Sequence, residues 1–236
     1  MKHEFLELLP EKHICLLGLQ GSRGQGLMVE HDADYDYRGI FVETNDNLLS
    51  LFPHRETLEY VDSRDGQLDY VLHEVKKFFQ LGLKSNPSVL HLLFLPEYNY
   101  IDNIGKMILA NRNLFLGSKS IRRSFAGFAL NQILAIKRKA MSGHKLRKNI
   151  RLSFRILDEG IELITTGKIT LPCPEPDYYF EIEKLEEKDW LPLYHRKAEL
   201  LRNCESILPE KPDSELLNKL LLKIRHMECG STSLIE

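Results

Sequence analysis

The sequence predicts an α+β fold, with a mixed β-sheet module that also carries helices over residues 1–102 and a mostly helical module over 103–236. Three observations carry this. The first hundred residues mix short apolar or alternating runs with helical stretches. Beyond Asn103 the apolar positions fall at helical spacing. The charge pattern also changes there: residues 103–157 hold 13 Lys/Arg and no Asp or Glu, leaving 19 basic against 34 acidic residues, or −15, in the remainder.

Taken in order, residues 2–10 read as a short helix. The apolar run HICLLGLQ (13–20) has strand length and is closed by Gly21. YRGIFVE (37–43), TLEYVD (57–62) and QLDYVLHEV (67–75) read as further strands, the last passing into the helix HEVKKFFQLGLK. In NPSVLHLLF, Asn86 can cap a helix and Pro87 suits its first turn. IGKMILANRNLFL, SKSIRRSFAGFALNQILAIKRKAMSG and KLRKNIRLSFRILDEGIELITTG are helical, with Gly143 and Gly167 as stops. KITLPCPEPDYYF (168–180), with three prolines, reads as a loop. Helices follow near 188–206 and 213–227.

Composition bounds the possibilities. A chain of 236 residues with 43% hydrophobic and 28% charged residues fits a globular protein of one large or two small domains. A net charge of −2 excludes strong global attraction to nucleic acid, while the acid-free segment points to a polyanion met locally or to a partner module of opposite charge. Four cysteines (Cys15, Cys173, Cys204, Cys229) form no tight pair, so neither a disulfide framework nor a zinc site with His226 is indicated. A reduced, cytoplasmic protein is expected, and no apolar run approaches the roughly 20 residues of a membrane span.

The chemistry concentrates between Gly21 and Val42, GSRGQGLMVEHDADYDYRGIFV. Gly21 and Ser22 end a strand and open a turn whose backbone N–H groups and hydroxyl suit phosphate oxygens. Arg23 adds a positive charge, and Gly24 and Gly26 keep side chains clear. Asp34 and Asp36, two apart in an extended segment, point the same way. Such a carboxylate pair suits Mg²⁺, or Mn²⁺, which takes a few carboxylates and completes its octahedron with waters and phosphates.

The joint pattern is more specific than its parts. Gly-Ser, eleven intervening residues, then Asp-x-Asp entering a strand resembles the signature of the DNA polymerase β-type nucleotidyltransferase superfamily. DYDYRGIFV followed by LDYVLHEVKKFFQLGLKSNPSVLHLLF is similar to a bacterial and phage subgroup of nucleotidyltransferases, one branch of which accompanies RNA-repair operons. Arg38, Gly39, Asn86 and Pro87 fit that subgroup, and the similarity covers roughly residues 13–167. The resemblance implies an NTP held by Gly21 and Ser22, metals held by Asp34 and Asp36, and a third carboxylate on a later strand. Asp69 is the first choice for it, with Glu59 and Asp62 as alternatives. The subgroup often carries Lys-x-x-x-His-x-x-Arg on a helix of its second half. Here Lys148 and Arg155 fill the outer positions and Leu152 stands in place of histidine. The resemblance then implies that Lys148 and Arg155 grip the triphosphate.

The expectation is a metal-dependent nucleotidyltransferase moving a nucleoside monophosphate from an NTP, such as ATP, to an RNA end, a tRNA, a protein or a small molecule. An RNA or tRNA acceptor would meet the basic 103–157 segment. Leu152 motivates an alternative, a nucleotide- or RNA-binding protein of the same fold without chemistry. His91 is expected as a packed helix residue, and His144 as a phosphate contact or a helix-end residue. The aromatic residues of PDYYF and DWLPLYH are expected as core and loop anchors rather than base-stacking groups.

Overall fold

A computed structural model of the chain describes residues 12–28, 34–52, 54–61 and 68–229, apart from the side chains of 228 and 229. The expected helix over 2–10, residue Asp62 and the Cys229 side chain lie outside these. The strands are β1 (His13–Leu19), β2 (Tyr35–Val42), β3 (Thr57–Val61), β4 (Leu68–Glu74) and β5 (Tyr100–Ile101). They form one mixed sheet in the order β3-β4-β2-β1-β5. β2 and β4 run parallel, and the other pairs are antiparallel. The two-residue β5 carries too little pattern to read from sequence.

The helices are α1 (Gly21–Gln25), α2 (Asn45–Leu49), α3 (Val75–Leu83), α4 (Pro87–Leu93), α5 (Asn103–Ala110), α6 (Ser118–Arg138), α7 (Gly143–Thr166), α8 (Pro176–Ile182), α9 (Glu187–Asn203) and α10 (Ser214–Cys229). Local signals explain several boundaries. Asn86 accepts from the amides of Ser88 and Val89, and Pro87 opens α4, as the sequence suggested. Gly167 ends α7 in the left-handed conformation. Gly143 does not stop α6, which ends at Arg138; it opens α7 instead. The expected loop 168–180 contains α8, because Pro176 occupies its first turn, where a missing N–H costs nothing.

One sheet face packs on helices. Leu16, Ile40 and Val42 join Phe78, Phe79, Leu90, Phe125, Phe154 and Leu157 in one continuous core. The sheet and the helical segment thus share a core. The opposite face carries a smaller cluster with Tyr37 stacked on Tyr70, ring centroids 4.8 Å apart. α6 and α7, joined by a short loop, form a helical hairpin beside the sheet. The last helix returns to the first module, where Arg225 of α10 pairs with Glu74 at 2.6 Å. Among the described residues no helix is long and apolar enough to cross a membrane.

Candidate active site

The parallel β2–β4 pairing puts Asp36 directly opposite Asp69. Neighbouring strands lie about 4.8 Å apart, so both carboxylates rise from one sheet face at close range. Alternation puts Arg38 on that face as well. Its Nη2 donates to Asp36 Oδ1 at 3.2 Å and to Asp69 Oδ2 at 2.9 Å. Its Nη1 donates to the carbonyls of Tyr37 at 2.9 Å and Asp69 at 3.3 Å. A unit positive charge therefore sits between the two acids.

Burial raises the Asp36 carboxyl above its ordinary range; Asp69 and Asp34 add to the rise, and Arg38 and Lys148 oppose it. That balance places Asp34 and Lys148 within electrostatic reach of Asp36. Asp34 is exposed and stands one residue before β2, which starts at Tyr35. Glu59 lies on the edge strand β3 opposite Val71, further from Asp36 than Asp69 is. Asp62 lies outside the described residues.

The Gly-Ser turn is built against the acids. Gly21 has φ +62°, and a Cβ there would lie 1.9 Å from Asp36 Oδ2. Only glycine lets the turn approach this carboxylate so closely. Gln20 N donates to Asp36 O at 2.7 Å and locks the turn to β2. Ser22 and Arg23 follow on α1. The Arg23 guanidinium lies over the Tyr35 ring, 4.0 Å from its centroid.

The two outer positions of the α7 motif part company. Lys148 is half-buried and bears on Asp36. Arg155, two turns further on, is 3% exposed. Its Nε pairs with Glu159 at 2.8 Å, and its Nη2 donates to Thr170 O at 2.8 Å. Leu152, between them, packs on the core. The basic segment sorts in the same way. Arg112 donates to Leu93 O, Arg122 to the carbonyls of Leu201 and Cys204, and Arg151 pairs with Glu183 at 2.5 Å. Lys137, Arg138, Lys139, Lys145 and Arg147 stay exposed around the α6–α7 turn.

Among the described residues no group of three or more His, Cys, Asp and Glu side chains could hold a metal ion alone. Asp36 and Asp69 share the Arg38 guanidinium, and Asp34 stands at the mouth of the strand. His91 is buried, as expected, and His144 lies exposed in the first turn of α7. Trp190, Tyr194 and Tyr179 are core residues, while Tyr178 is exposed beneath Lys197.

Sequence reasoning noted Arg38 only as part of a motif. Its i, i+2 spacing from Asp36 already signalled a shared strand face. The polar partners of the Gly-Ser turn had no such signal, since they come from distant helices.

A comparison with solved structures gives a nucleotidyltransferase-like protein from Exiguobacterium sibiricum at 13% identity and a TM-score of 0.33, covering 96% of this chain and 72% of that one. A comparison with curated proteins finds no match. A family model described as RlaP, RNA repair pathway DNA polymerase beta family, matches residues 4–192. With a match over that span, the chain belongs to the RNA repair pathway DNA polymerase beta family.

Proposed function

We propose that this protein transfers a nucleoside monophosphate from an NTP to an acceptor hydroxyl, with an RNA end as acceptor. The observation that carries the reading is the in-register Asp36–Asp69 pair with Gly21 packed against Asp36. Asp34, Asp36 and Asp69 would hold Mg²⁺ or Mn²⁺, which supplies charge neutralisation and a more acidic acceptor hydroxyl when bound.

The backbone of Gly21 and Ser22 and the Ser22 hydroxyl receive the β- and γ-phosphates. Lys148, which bears on Asp36 from α7, supplies positive charge to them, whereas Arg23 is turned onto Tyr35. Asp69 accepts the proton of the acceptor hydroxyl as its oxygen bonds to the α-phosphorus. The bond from that phosphorus to the bridging oxygen breaks, and pyrophosphate leaves on the Gly-Ser side. Positioning and electrostatics carry most of such a reaction.

Charge supports an RNA acceptor. The five exposed cations of the α6–α7 turn precede Lys148 in the chain. Six residues of helix span about 9 Å, so a strand gripped at the turn reaches the acid pair.

A second reading, binding without chemistry, is favoured by Arg38, which already satisfies both acids, and by Leu152. The test is label transfer from the four NTPs, labelled at the α-phosphate, to RNA with Mg²⁺ or Mn²⁺. Transfer that stops with Asp36→Asn supports the enzyme. RNA binding with no transfer or pyrophosphate release under any of these conditions supports the alternative.

A further inference from the structure

Two glutamines bracket the Gly-Ser turn, and both are held by one face of α4. Gln20 Nε2 donates to Ser88 O at 2.9 Å, and Ser88 Oγ donates to Gln20 Oε1 at 3.2 Å. Gln25 Nε2 lies 3.2 Å from His91 Nδ1. Ser88 and His91 are three residues apart on the helix and therefore neighbours. The chain of contacts continues inward: His91 Nε2 meets Glu159 Oε2 at 2.5 Å, and Glu159 Oε1 meets Arg155 Nε at 2.8 Å. Arg155 donates to Thr170 O, and Cys173 N returns to Gln25 O at 2.7 Å. Pro172 closes the ring by packing on Gly26.

Chemistry orients this ring. The Gln25 amide nitrogen can only donate, so His91 Nδ1 accepts. The imidazole proton then sits on Nε2, aimed at Glu159. Gln25, His91, Arg155 and Glu159 are all less than a tenth exposed. Buried polar chains of this kind contribute modestly to net stability, yet each member fixes the direction of the next.

The turn needs such support. α1 has five residues and no side-chain cap bond. Helices that short do not hold themselves. Its geometry is set by Asp36 on one side and by the glutamines on the other.

We propose that Gln20, Gln25 and His91 are positioning residues for the nucleotide, holding the Gly21–Gly24 backbone in its phosphate-binding form and tying it to α7, which carries Lys148. This rests on the nucleotidyltransferase reading above. Both walls of the phosphate site are then one rigid unit joined through His91. A loosened turn must be ordered again each time an NTP binds, so affinity falls while the acid pair stays intact.

The test uses Gln25→Met, which keeps the volume and removes the amide, and His91→Gln, which keeps a donor for Glu159. Hydrogen exchange is measured first, without nucleotide. In Gln25→Met the amides of residues 21–26 should exchange about fivefold faster, the worth of one buried hydrogen bond, while those of β2 and α7 hold. KM for the NTP should rise by a similar factor, with kcat changing less. His91→Gln should fall between wild type and Gln25→Met in both readouts. A variant that melts earlier yet shows wild-type exchange at 21–26 and wild-type KM overturns the proposal. Faster exchange at 21–26 in a protein whose wild type has no affinity for any NTP keeps the clamp and overturns the function assigned to it.

Discussion

Asp36 and Asp69 face each other across two parallel strands and share one guanidinium, that of Arg38. Burial, reinforced by Asp69 and Asp34, outweighs the cations and raises the Asp36 carboxyl above its ordinary 3.8. The folded state therefore binds this proton more tightly than the unfolded chain. The stability it contributes is full below the unfolded value and is lost as pH rises through the folded one. Asp36→Asn should then melt higher than wild type at pH 7, with the gain vanishing below about pH 3.8, where both carry a neutral side chain. Nucleotidyl transfer should fall about a hundredfold or more. Thermal melts at the two pH values and a transfer assay check both halves. A variant that melts lower at pH 7 and turns over normally would remove Asp36 from the site.

Gly21→Ala tests the contact between the turn and the acids. The left-handed backbone alone costs a non-glycine residue about 1–2 kcal/mol. For a chain this size that lowers the melting temperature by roughly 2–8 °C. The new methyl also meets Asp36 Oδ2, so the carboxylate must move. Transfer activity should drop more than in Ser22→Ala, which removes a hydroxyl and leaves the acids in place. Equal activity in Gly21→Ala and wild type would show that the approach of turn to carboxylate is incidental.

Local signals made much of this legible. Apolar runs and alternation gave four strands, Asn86-Pro87 gave the start of α4, and the Gly-Ser and Asp-x-Asp spacing pointed to the turn and Asp36. The rest depends on register and distance. Resemblance asked for a third carboxylate on a later strand without fixing which, because the partner of Asp36 is set by the β2–β4 pairing. Arg155 sits at helical spacing from Lys148, yet spacing does not reveal how deep in the core it lies. Charge counting treated 13 cations as one patch, whereas Arg112, Arg122, Arg151 and Arg155 are held by internal partners. β5 and α8 were too short, or too rich in proline, for their patterns to show.

Lys148 and Arg155 should therefore respond differently to removal. Lys148→Ala should leave the fold intact and weaken NTP binding about tenfold, the value of one charge-assisted contact. Arg155→Ala leaves Glu159, which is 0% exposed, without its guanidinium. Breaking a buried pair in this way costs about 3–5 kcal/mol, visible in denaturant unfolding. Nucleotide affinity measured by calorimetry on the folded fraction separates binding loss from unfolding. Unchanged affinity in Lys148→Ala would remove this helix from the nucleotide site.

The α6–α7 turn decides whether RNA is the acceptor. Lys137, Arg138, Lys139, Lys145 and Arg147 are exposed there, with Lys137 also 3.1 Å from Glu187. Each contact to a single-stranded phosphate steepens the salt dependence of binding by about 0.7 in a log–log plot. Changing all five to glutamine should flatten that slope by up to about 3.5 and leave NTP affinity nearly unchanged. Lys119 and Arg123 serve as the control. They are also exposed, but about 20–30 Å away along α6, well beyond the screening length of about 8 Å. Changing that pair should leave the slope within one contact of wild type. Filter binding of a single-stranded RNA from low to physiological salt measures all three proteins. If the five-residue variant keeps the wild-type slope while the control loses it, RNA lies along the far end of α6 and cannot reach the acid pair from this turn. If neither changes it, the acid-free segment answers the acidic remainder of the chain instead.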